Sequence, residues 1–140
     1  MAVLYADASA LVKLVREEAE SQALRTYLQG DDLVSSELVL TEIPRAIRRA
    51  AARDPALSLE LLLERAGSLL GVLALRPVDR DILRGAGALA EPALRALDAI
   101  HVASAVDLDP VGAFVTYDDR QAAAARLAGL RTMAPGTQSG

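Results

Sequence analysis

Apolar residues come in short runs separated by helical stretches, and this alternation sets the expected architecture. Val3 to Ala6 is a continuous apolar run, as expected of a strand buried on both faces. Leu11, Val12, Leu14 and Val15 follow with helical spacing, behind Ser9 as a capping residue. A second helix is expected from Glu17 to Gln29, with a stop and turn at Gly30-Asp31-Asp32. Leu33 to Ser35 reads as a second strand. Ser36 then caps a long helix whose apolar stripe runs through Leu38, Val39, Ile43, Ala46, Ile47 and Ala50. Pro44 lacks an amide donor and is expected to bend that helix, or to end a first piece of it near Leu40. After the break at Asp54-Pro55, a leucine-rich helix is expected from Ala56 to Leu70, closed around Gly71. Val72 to Leu75 is a third strand, Asp79 to Leu89 a helix, and Ala96 to Leu108 an apolar helix. Ala113 to Thr116 is a fourth strand, Asp118 to Ala128 a helix and Leu130 to Met133 a last short strand.

Strands alternating with helices predict a three-layer α/β/α fold around a short central parallel sheet. The whole of residues 1–133 is expected to form one domain, with a flexible tail over 134–140. No internal repeat or linker divides the chain.

Composition narrows the function. With 52% hydrophobic residues among 140, the chain is too apolar for disorder. Charges interrupt every apolar run well short of a membrane span, and no signal-peptide pattern is visible, so a cytoplasmic protein with no membrane partner is expected. The absence of cysteine excludes disulfides and thiolate metal sites. A net charge of −4 leaves no general basic coat for nucleic acid, and 3% aromatics argue against base-stacking platforms. A polyanionic substrate would have to be met by local arginines and bound cations.

Four acids stand out against this background. Asp7 ends the first strand, where ligands of open α/β sheets bind, although a helix cap accounts for it equally well. Glu42 sits on the apolar stripe of its helix, where an unpaired carboxylate is costly; a buried arginine or a polar cleft would accommodate it. Asp98 opens the block Leu97-Asp98-Ala99-Ile100-His101-Val102-Ala103-Ser104-Ala105, where the helix dipole alone would favour it. His101, one turn on, reads as a packed and hydrogen-bonded core histidine. Asp118 bears the same relation to strand four as Asp7 does to strand one, and is preferred for the cleft over Asp119, which is assigned to solvent or a cap. Were all four to meet at about 5 Å, each of the six pairs would repel by about 3 kcal/mol at an effective dielectric near 20. Protons or a divalent cation would have to neutralise the cluster, and oxygen-only ligation favours Mg²⁺, with Mn²⁺ as a substitute. Such a site hydrolyses phosphodiesters without a protein nucleophile. Arg45, Arg48 and Arg49 follow Glu42 and could guide a phosphate backbone or simply form a solvated face. A phosphoacceptor or binding domain is the alternative. A receiver-type site needs a lysine on a late strand, and the only lysine is the early Lys13.

The segments Leu4 to Leu14, Thr41-Glu42, Leu97 to Ala105 and Phe114 to Asp118 resemble PIN-domain ribonucleases, and more closely the VapC toxins of bacterial type II toxin–antitoxin systems. The resemblance implies a metal-dependent endoribonuclease whose acidic quartet is Asp7, Glu42, Asp98 and Asp118. It places Ser9 and Thr116 as hydroxyl residues behind those acids. It further implies an RNA substrate, a homodimer and a VapB-type antitoxin that occludes the site.

Overall fold

A computed structural model describes residues 2–137. Five parallel strands form one sheet in the order β3-β2-β1-β4-β5, with β1 (Val3–Ala6) at its centre. The chain runs β1, α1 (Ala8–Val15), α2 (Ser21–Leu28), β2 (Asp32–Ser36), α3 (Val39–Arg53), α4 (Leu59–Val72), β3 (Ala74–Arg76), α5 (Arg80–Gly87), α6 (Ala96–Asp107), β4 (Ala113–Val115), α7 (Asp119–Leu127) and β5 (Thr132–Met133). The first crossovers build outward from β1 to β2 and β3. The chain then returns to the other side of β1 for β4 and β5. The gap between the ends of β1 and β4 is therefore the point where strand order reverses.

Side-chain alternation divides the core between two helical layers. Leu4, Ala6, Ala113 and Val115 face α1 to α4 and pack with Leu11, Leu24, Val39, Ile43, Ile47 and Leu62. Tyr5 and Phe114 face the other way, against Val102 and Ala105 of α6 and Ala124 and Ala125 of α7. α6 packs against α5, α7 and β2, which explains why every residue from Ala99 to Ala105 is buried.

Several expected boundaries move for local reasons. The cap of α1 is Asp7, not Ser9, and Ser36 belongs to the end of β2, where its Oγ accepts from the Leu38 amide. α4 begins at Leu59 because Ser58 caps it, and it continues through Gly71, which sits in open space. The third strand accordingly slides to Ala74–Arg76, paired with Val34 to Ser36. α3 runs unbroken from Val39 to Arg53 through Pro44, so no helix piece ends at Leu40. Pro44 lies in the second turn, and the carbonyl it leaves unpaired belongs to Leu40, which is 49% exposed.

Of the segment expected to be loose, residues 134–137 form a turn. Tyr117 Oη donates to the Pro135 carbonyl at 2.7 Å, and Gly136, at φ +87°, lies against Glu20, just before α2, and Ala23 within it. Residues 138–140 lie outside the described residues. Among the described residues, no helix is long and apolar enough to cross a membrane.

Candidate active site

Asp7 leaves the C-terminal end of β1 at the switch point and is 2% exposed. It caps a helix and stands at the strand end at once. Its Oδ1 caps α1 by accepting from the Ala10 amide at 3.1 Å, and also accepts from Ser9 Oγ at 2.6 Å. Its Oδ2 accepts from Thr116 Oγ1 at 2.6 Å. Ser9 Oγ in turn accepts from the Tyr117 amide at 2.9 Å, and Thr116 Oγ1 from the Asp118 amide at 3.1 Å. The two hydroxyls thus spend their protons on Asp7 and lock the end of β4 to the start of α1. Burial pushes the Asp7 carboxyl up from its ordinary value, opposed by the Ser9 and Thr116 hydroxyls. Two donors fill the acceptor sites of Oδ1, while Oδ2 keeps a free lone pair.

The other acids approach from three helices. Asp118 ends the connection after β4 and caps α7, its Oδ1 accepting from the Gln121 amide at 2.9 Å. Cap and cleft residue are therefore one and the same; Asp119 is the first residue of α7 and is exposed. Asp98 lies in the first turn of α6, and its carboxylate has no hydrogen-bond partner among the described residues. Its carboxyl is raised by partial burial first, then by the neighbouring Asp118 and Glu42 charges. Glu42, in the first turn of α3, finds its partner not in an arginine but in His101, whose Nε2 lies 2.6 Å from Oε1.

Asp7, Ser9, Glu42, Asp98, His101, Asp118 and Gln121 line one cavity of about 170 Å³. All four sequence-expected acids share it. Their crowding is looser than the uniform 5 Å assumed from sequence: among the described residues no three Asp, Glu or His side chains form a ready-made metal cage. Capping holds Asp118 toward α7, and His101 holds Glu42. The donor chemistry nevertheless fits a hard dication. It is all oxygen, Asp98 has both oxygens unpaired, and Asp7 and Glu42 each keep acceptor capacity.

Two larger grooves open from this cavity. One, of about 550 Å³, shares Ala8, Ser9 and Glu42 with it and carries Arg45 and Arg49. The other, of about 430 Å³, shares Asp98 and Asp118 and carries Arg95 and Arg120. Arg48 lines neither groove. Sequence reasoning missed Arg95, Arg120 and Gln121, and it kept His101 in the core alone. For Gln121 a signal existed: Asp118-x-x-Gln121 has capping-box spacing. Its side chain instead donates from Nε2 to the Asp98 carbonyl at 3.3 Å, tying α7 to α6.

A parallel α/β domain with an acid-lined cavity at its switch point, backed by buried hydroxyls and flanked by arginine grooves, has the composition of a phosphodiester-processing site. The PIN domain family matches residues 4–127, and the chain belongs to that family. It is 42% identical to Ribonuclease VapC46 of Mycobacterium tuberculosis, covering 96% of this chain and 99% of the relative. Identity to Ribonuclease VapC47 of the same species is 36%, over 96% of this chain and 98% of the relative. Among solved structures, the M. tuberculosis sarcin-ricin loop cleaving toxin VapC20 superposes with a TM-score of 0.69, covering 94% of this chain and 99% of that one. At 17% identity, that likeness concerns the fold alone.

Proposed function

We propose that this chain is a VapC-type toxin, a divalent-metal-dependent endoribonuclease that cleaves RNA phosphodiester bonds in the cytoplasm and is restrained by a VapB-type antitoxin. The observation that carries this reading is the meeting of Asp7, Glu42, Asp98 and Asp118 in one cavity at the strand switch point. Mg²⁺, or Mn²⁺ in its place, would be held by Asp7 and Asp98 with help from Glu42 and Asp118, and would supply Lewis acidity toward the phosphoryl oxygen and the leaving alkoxide.

The chain's own groups divide the remaining work. Ser9 and Thr116 fix the Asp7 carboxylate so that Oδ2 keeps its orientation. Asp98, half-buried and with no hydrogen-bond donor on its carboxylate among the described residues, has oxygens free to orient the attacking water. Arg45 and Arg49 meet the phosphates that flank the scissile bond. A homodimer is part of this reading. Leu97, 50% exposed beside Asp98, offers apolar surface for a protein that covers the cleft. The phosphoacceptor alternative lacks a lysine free to meet a phosphate: Lys13, the single lysine, is held by Glu18 and Glu20 at 3.5 and 3.0 Å.

Excess EDTA is expected to abolish cleavage of a single-stranded RNA oligonucleotide while the far-ultraviolet circular dichroism is retained; undiminished cleavage under those conditions rules out the metal mechanism. Replacing Arg45 and Arg49 together by Ala should weaken RNA binding about tenfold at low salt and flatten the slope of log K against log salt by about 0.7 for each arginine–phosphate pair removed. Arg48→Ala should leave both unchanged. Anisotropy titrations on the Asp7→Asn background measure this without turnover, and an Arg48→Ala effect as large as that of the double variant would refute the groove assignment.

A further inference from the structure

Glu42 is anchored at one oxygen only. His101 Nε2 meets Oε1 at 2.6 Å, and Oε2 has no hydrogen-bond partner among the described residues. We propose that His101, backed by Tyr5 and donating from Nε2, is a positioning residue that fixes the Glu42 carboxylate in the cavity. This rests on the reading of Glu42 as one of the site acids.

Proton bookkeeping assigns the tautomer. A carboxylate has no proton to give, so the short contact requires the hydrogen on Nε2. A neutral imidazole then presents a lone pair at Nδ1, which needs a donor. Tyr5 Oη lies 2.7 Å from Nδ1, its shortest polar contact, with the Ser35 and Ser104 hydroxyls beside it. The hydroxyls of Ser35 and Ser104 are committed to the carbonyls of Ala6 and Ile100, so neither can donate to the phenol. Tyr5 Oη–H therefore donates to Nδ1, and Nε2–H donates to Glu42. Were Nδ1 protonated instead, the phenol would lose this 2.7 Å acceptor and have only the Ser35 and Ser104 oxygens to turn to.

The anchor is rigid where it needs to be. Tyr5 is fully buried and stacks on Phe114 at 5.2 Å with ring planes 10° apart. The imidazole meets the Tyr5 ring edge-on at 5.9 Å and is 1% exposed. Tyr5 and His101 belong to the α6–α7 side of the sheet, whereas Glu42 comes from α3 on the other side. The Tyr5–His101–Glu42 chain thus bridges the two helical layers over the end of β1. It gives a flexible side chain the fixed geometry that a buried orienting partner provides in metal sites generally.

Three measurements test it, with Mn²⁺ as the probe. In metal-free protein, a long-range ¹H–¹⁵N spectrum of the single histidine should show the Nε2–H tautomer. His101→Leu should weaken Mn²⁺ binding, followed by electron paramagnetic resonance of the free ion, by 10- to 100-fold. It should lower kcat comparably and leave KM for RNA within about threefold. His101→Gln, whose amide can reproduce the Nε2–H donor, should restore Mn²⁺ affinity to within about threefold of wild type. If the leucine variant does not fold, His101→Asn takes its place, since its amide reaches the Nδ1 position and not Nε2. An Nδ1–H tautomer overturns the proposal, as does equal Mn²⁺ affinity in the Gln, Asn and Leu variants. The tautomer and the Mn²⁺ readouts need no catalysis. Cleavage that survives Asp7→Asn would instead sink the assignment of cleavage to this cavity.

Discussion

Asp98→Asn is expected to cut RNA cleavage by about 10³-fold and, without divalent metal, to raise the melting temperature at neutral pH. Both effects follow from one condition: Asp98 is partly desolvated, lies near Asp118 and Glu42, and has no donor. An acid whose folded pKa exceeds its unfolded one gives the native state extra protons, so stability falls as pH rises through the interval between them. The Asp98 penalty is therefore absent below the ordinary value of 3.8 and grows as pH climbs through the raised value. Asparagine removes it. Solvent reaches much of the side chain, so the gain is on the order of 1 kcal/mol at pH 7, far below the full Coulomb repulsion. Metal should reverse the order. At a hundredfold excess over Kd, Mg²⁺ or Mn²⁺ stabilises a one-site protein by about 2.7 kcal/mol, on the order of 10 °C here, and the variant should lose most of that. Differential scanning fluorimetry from pH 4 to 8, with and without Mg²⁺, measures every part. A metal-free variant that melts below wild type would make Asp98 a structural residue.

At Asp7 the expected result is a split between two substitutions. Asp7→Asn and Asp7→Ala should both abolish cleavage, but only the alanine variant should be severely destabilised, by about 3 kcal/mol. Alanine removes the α1 cap and strands the buried Ala10 amide and the Ser9 and Thr116 hydroxyls. Asparagine keeps an oxygen for Ala10 and Ser9, and the Thr116 hydroxyl can rotate to accept from the new amide. Its cost should stay under about 1 kcal/mol, since removal of a raised, buried charge offsets part of the lost bonding. Urea unfolding of both variants reads the difference directly. Equal stabilities would mean that the hydroxyl bracket around Asp7 contributes nothing.

The fold and the four acids are legible in the sequence because they follow from short-range patterns. The apolar runs of β1 and β4 report a sheet covered on both faces. Acids immediately after such strands report its C-terminal edge. What is not legible depends on packing between distant parts of the chain. Ser9 has the side chain of a cap and sits two residues past the true one, Asp7; the Tyr117 amide, from the end of β4, gives its hydroxyl a different task. His101 reads as a core residue and is one, yet it also serves Glu42, because α6 passes over the end of β1 toward α3. A partner for Glu42 is foreseeable, but its identity depends on which helix crosses the cavity. The third strand starts two residues later than expected because α4 continues through Gly71 to Val72, and local propensity does not reveal pairing with Val34 to Ser36.

Mn²⁺ uptake by the purified protein, followed by electron paramagnetic resonance of the free ion, goes most directly to the idea that these scattered carboxylates work as one cation-dependent centre. Wild type should bind Mn²⁺ saturably, and Asp7→Asn and Asp98→Asn should each abolish that binding while remaining folded. Uptake that is equal in all three proteins would contradict it.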